Sequence, residues 1–82
     1  MKTVKIGFLG MGNVGSGAYA ILKNNAPLIE EREGLRIIVK RALVRSLDKA
    51  RPNGVDTDIL TTNPQDVLND PEIEIIAEFL GG

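Results

Sequence analysis

Six consecutive residues, Gly10-Met11-Gly12-Asn13-Val14-Gly15, place glycines at the first, third and sixth positions. That spacing suits one kind of chemistry, the holding of a pyrophosphate against bare backbone. The first glycine allows a tight turn. The second leaves no side chain between the backbone and a phosphate. The third lets a following helix pack closely. Where a helix opens at such a motif, its free N–H groups and its dipole stabilise the phosphate charge. The same glycines would also serve a plain tight turn, so the flanking elements decide. A Walker A loop is excluded, because no Gly-Lys-Ser/Thr ending is present.

Few other residues could do chemistry. The chain has no cysteine and no histidine. Thiolate chemistry and disulfides are therefore excluded, and the commonest metal ligand and general base are missing. No metal site and no catalytic residue is assigned. Ten basic and eleven acidic residues leave a net charge of -1, which argues against nucleic-acid binding. No apolar stretch approaches a membrane span, and no signal peptide is recognisable, so a cytoplasmic location is expected.

A second informative place is the end of the second strand. An acidic residue there binds the ribose hydroxyls of NAD, whereas an arginine suits the 2′-phosphate of NADP. Counting about 20 residues from the motif reaches Glu30 and Glu31, which precede that strand and read as a solvated helix face. The strand itself ends at Val44, and Arg45 follows. A guanidinium can grip a phosphate with paired, charge-assisted bonds. Lys49 and Arg51 could add charge nearby. The plain alternative is that all three are surface charges.

The elements that must position these residues can be traced along the chain. Val4 to Leu9 is an apolar run around Lys5, read as a buried strand ending at the motif. Val14, Ala18, Ile21 and Leu22 fall on one helical face. The helix should fray or bend near Asn24 and Asn25, with a further turn from Pro27 to Glu33 and a stop at Gly34. Leu35 to Val44 reads as a second strand. On strict alternation, Ile37, Val39 and Leu43 share one face, and Ile38, Ala42 and Val44 the other. Both faces are apolar, as when helices cover both sides of a sheet. Lys40 and Arg41 interrupt this pattern and suggest a frayed edge. Ser46 to Asp58, with Pro52 and Gly54, reads as a loop. Ile59 to Thr62 is a brief third strand. Asn63 is an N-cap for a short helix from Pro64 to Leu68. A turn at Asn69-Asp70-Pro71 leads to a fourth strand, Ile73 to Leu80. The expected fold is α/β, a Rossmann-type doubly wound parallel sheet, truncated to four strands in order 3-2-1-4. In that context the glycine motif reads as a dinucleotide site.

With these elements in place, the chain resembles the N-terminal segment of homoserine dehydrogenases. The resemblance runs from Lys5 through Gly17 and from Ala42 through Lys49. It continues over Leu60 to Pro64 and over Asp70 to Gly82, and so covers essentially the whole chain. The run Val44-Arg45-Ser46-Leu47-Asp48-Lys49 is more specific than the glycines. The resemblance implies an NAD(P)-dependent oxidoreductase interconverting aspartate semialdehyde and homoserine, on the route to threonine, methionine and isoleucine. It implies that Gly10, Met11, Gly12, Asn13, Val14 and Gly15 hold the pyrophosphate. It implies that Arg45 faces the adenosine ribose, and that Gly81 and Gly82 lie near the nicotinamide half. Asn13 stands where many members have threonine, and Ser46 where many have aspartate. Losing that negative charge beside Arg45 slightly favours NADP, with NAD possible.

Full-length members are several times longer and are expected to be homo-oligomers. Their catalytic and substrate residues lie beyond Gly82. Residues 1–82 are accordingly expected to form one partial NAD(P)-binding domain, marginally stable and inactive alone. Two alternatives remain: another small-substrate NAD(P) oxidoreductase, such as an aspartate semialdehyde dehydrogenase, or a non-catalytic dinucleotide-sensing module.

Overall fold

A computed structural model describes residues 1–47 and 54–80 of the chain. Lys49, Arg51, Pro52, Gly81 and Gly82 lie outside the described residues. Strand β1 spans Lys2–Leu9 and strand β2 spans Leu35–Leu43. A short strand β3, Leu60–Thr61, follows a 3-10 turn at Thr57–Ile59, and β4 spans Ile75–Glu78. All pairings are parallel, and the sheet order is β3-β2-β1-β4, as expected. The strands differ from expectation mainly at their ends. β1 pairs from Lys2 onward because Leu35 and Arg36 sit beside Lys2 and Thr3.

One helix, α1 (Asn13–Glu33), joins β1 to β2. The helix does not fray at Asn24 and Asn25 but continues to Glu33, with Pro27 inside it. Proline removes one backbone bond and crowds the preceding turn. Here packing outweighs that local cost. Tyr19, Leu22 and Ala26 continue one stripe along β2, facing Ile37, Ile38 and Val39 across a groove. Gly34 ends the helix as expected, in the left-handed conformation at φ 64°, and its N–H donates to the Glu30 carbonyl at 3.1 Å.

The second correction lies in β2. Lys40 and Arg41 do not fray the strand. The β1–β2 register runs Ile6↔Val39 and then Gly7↔Arg41, so Lys40 is an extra residue, a β-bulge. One extra residue exchanges the faces of everything beyond it. Ala42 and Val44 therefore join Val39 in a single core under α1, with Phe8, Met11, Tyr19, Val55 and Leu60. Strict alternation had put Val39 on the opposite face from those two.

The other face is also not simply apolar. The four-residue helix α2 (Gln65–Leu68) brings Val67 onto Gly7, where an added Cβ would stand 2.6 Å from Val67 Cγ1. Beside this contact lies a charged cluster. Lys40 Nζ is 2.6 Å from Asp70 and 2.8 Å from Glu72, and Lys5 Nζ is 2.8 Å from Glu72. Arg41 reaches Asp66 at 3.3 Å. Hydrogen bonds from Lys40 first, then from the Glu72 amide, hold the Asp70 carboxyl below its ordinary range. Lys40 and then Lys5 do the same for Glu72, and the two acids raise Lys40. No helix among the described residues is long and apolar enough to cross a membrane.

Candidate functional site

The glycine turn lies between the C-terminal end of β1 and the start of α1. Gly10 has φ 109°, a conformation that side chains rarely tolerate. Its N–H donates to the Leu43 carbonyl at 3.0 Å, which ties the turn to β2. Gly15 must be small for a reason close to the one expected. A Cβ there would stand 2.7 Å from the carbonyl oxygen of Gly10 and 3.5 Å from Phe79. The helix thus packs on the turn itself and on the residue after β4. Phe79 in turn meets Phe8 edge-on, with centroids 4.9 Å apart.

Gly12 is different. A Cβ built on it meets nothing within 4 Å, and its φ of −77° is ordinary. Neither strain nor packing requires glycine at this position. What the missing side chain leaves is clear space in front of the helix N-terminus. Gly12 is the N-cap of α1, no side chain caps the helix, and its first turn holds no acidic residue. The first-turn N–H groups are therefore available to an anion. Asn13 and Val14 are exposed beside them. Met11 is 2% exposed and part of the core, so only its backbone can face a ligand. Ser16 fixes the turn from beneath, its buried hydroxyl donating to the Met11 carbonyl at 3.0 Å.

A cleft of about 430 Å³ opens beside the turn, lined by Leu43, Val44, Arg45, Thr62, Pro64 and Leu80. These residues come from the C-terminal ends of three parallel strands, where open α/β sheets bind ligands. Two of them flank the turn. Leu43 accepts the Gly10 N–H, and Leu80 Cδ2 would lie 3.3 Å from a Cβ on Gly10. Arg45 is exposed at the cleft. Arg45 thus lines a cleft whose walls adjoin the turn, although no residue of the turn lines it. Glu30 lies elsewhere, at the far end of α1, with Arg36 at 3.6 Å. Thr62, Pro64 and Leu80 were not singled out in the sequence. Thr62 and Leu80 end the expected third and fourth strands and Pro64 opens the expected short helix, and these positions were the available signal.

No family model matches the chain. Curated relatives do. The chain is 34% identical to homoserine dehydrogenase of Bacillus subtilis over 82 residues, which is all of this chain and 19% of that enzyme. It is 43% identical to homoserine dehydrogenase of Synechocystis, with 98% of this chain and 18% of that enzyme covered. Among solved structures, S. aureus homoserine dehydrogenase at pH 7.5 superposes with TM-score 0.92 at 37% identity, over 99% of this chain and 21% of that one. Homoserine dehydrogenase of Thiobacillus denitrificans gives TM-score 0.81 at 48% identity, over 98% and 18%. The chain thus spans about a fifth of the length of these relatives. Along its whole length it corresponds to the N-terminal part of homoserine dehydrogenases.

Proposed function

We propose that the chain is the nicotinamide-dinucleotide-binding part of a homoserine dehydrogenase, one partial NAD(P)-binding domain of an enzyme that interconverts L-aspartate 4-semialdehyde and L-homoserine. The observation that carries this reading is Gly12, where fold and strain demand no glycine and a Cβ would project into clear space before an uncapped helix. A pyrophosphate fits that cradle. Gly10, Met11, Gly12, Asn13, Val14 and Gly15 would hold it, chiefly through backbone N–H groups. Arg45 would meet the adenosine ribose, and its positive charge favours the 2′-phosphate of NADP over NAD. Gly81 and Gly82, outside the described residues, are assigned to the nicotinamide half on the resemblance alone.

When bound, the nicotinamide supplies hydride chemistry. The residues described here bind and orient the dinucleotide, and none is assigned to the reaction itself. The whole enzyme would act in the cytoplasm as a homo-oligomer, in threonine, methionine and isoleucine biosynthesis. Calorimetric titration of the chain with NADPH and NADH tests the reading. Binding of both, tighter for NADPH, is expected. Absence of binding by either would overturn the functional assignment, and tighter NADH binding would overturn the role of Arg45.

A further inference from the structure

One wall of the cleft is carried by the turn Thr62-Asn63-Pro64, between β3 and α2. We infer that Asp66, which does not line the cleft, is a positioning residue for its adenosine end, acting through the Thr61 hydroxyl. The inference rests on the dinucleotide reading above and extends it to a residue outside the cleft.

Thr61 is 5% exposed and ends β3. Its hydroxyl does two things at once. It donates to Asp66 Oδ2, and its oxygen accepts the Asn63 N–H at 3.1 Å. A hydroxyl has one proton and can aim it at one acceptor. With Asp66 taking that proton, the oxygen lone pairs are left for Asn63, and the start of the turn is pinned. Two further bonds hold Asp66 itself, and a third closes the turn beside it. Arg41 Nη2 donates to Asp66 Oδ2 at 3.3 Å from β2. The Asp66 N–H donates to the Asn63 carbonyl at 3.0 Å, and the Gln65 N–H donates to Asn63 Oδ1 at 3.0 Å. Thr62 and Pro64 line the cleft together with Arg45, and this network fixes the turn that carries them. Without an acceptor at Asp66 the buried hydroxyl must find another partner, and its hold on Asn63 is lost.

Calorimetry with NADPH and with 2′,5′-ADP, which carries only the adenosine end, tests the inference, with circular dichroism to report folding. Asp66→Ala should weaken both ligands by the same factor, about tenfold, the size of one hydrogen bond. Asp66→Asn should bind within about twofold of wild type, since its amide oxygen accepts the same hydroxyl proton. Thr61→Val should match Asp66→Ala, and the double variant should be no weaker than either single one. Should Asp66→Ala fail to fold, Thr61→Val against Thr61→Ser carries the test, with loss expected only for valine. Wild-type affinity in folded Asp66→Ala or Thr61→Val overturns the inference, and so does an equal loss in Asp66→Asn and Asp66→Ala. A wild-type chain that binds neither ligand overturns the dinucleotide reading, and this inference with it.

Discussion

Gly12 and Gly15 look alike in the motif but answer to different forces. Gly12→Val adds methyl groups where the described structure has nothing within 4 Å. Secondary structure should therefore survive while dinucleotide binding is lost. Gly15→Val drives a side chain into the Gly10 carbonyl, 2.7 Å from the Cβ position. That overpacking should cost about 1–3 kcal/mol. In a chain of this size such a loss is a large share of total stability. Thermal melts and cofactor titration of the two variants separate the roles, and normal binding by Gly12→Val would reduce the motif to a structural turn. Arg45→Ala should weaken NADPH by about 1.5–3 kcal/mol, the range for a hydrogen bond to a charged group. NADH should change little. Equal effects on the two cofactors would make Arg45 a general surface charge.

At the scale of elements, the bulge at Lys40 links β2 to the segment ahead of β4. Lys40 binds Asp70 and Glu72 there, and Lys5 joins them from β1. Both carboxyls are held below their ordinary values of 3.8 and 4.5. A depressed carboxyl pKa stabilises the fold above its unfolded value, and that contribution is lost as pH falls through the folded value. Lys40 is raised above its ordinary 10.5, so its contribution is present below that pH and is lost as pH rises through the folded value. The cluster should therefore support the fold from about pH 5 to about pH 10 and weaken beyond both limits. Lys40→Met should flatten the decline in melting temperature below about pH 4.5, and the effect should shrink in high salt. A pH–stability curve identical to wild type would show that solvent already screens these charges. The bulge explains why alternation failed in β2. Periodicity assigns faces by counting, and one inserted residue reverses the count without leaving a mark in composition. Lys40 and Arg41 were visible as an anomaly, but the acids that receive them lie about 30 residues away.

At the scale of the whole molecule, the described chain presents a glycine turn and a cleft, with β4 at one edge of its sheet. Ile75 and Ile76 of that strand are 50% and 43% exposed. Hydride transfer requires both reactants held in register. The 82-residue chain should accordingly bind dinucleotide yet show no homoserine oxidation above background, followed as NADPH formation at 340 nm. Turnover by the pure chain would place catalytic groups within these residues. The sequence by itself determined the strand order, the glycine turn, the stop at Gly34 and the position of Arg45 after β2. These follow from local rules: which residues tolerate positive φ, which alternate, and what a turn between strand and helix permits. Tertiary structure alone decided that α1 runs unbroken through Pro27, that Ala42 and Val44 share a core with Val39, and that Thr62, Pro64 and Leu80 close the cleft around Arg45. Each of these depends on contacts between residues far apart in the chain. Packing along β2 outweighs the proline's local cost, and a one-residue bulge re-aims side chains that no local pattern could place.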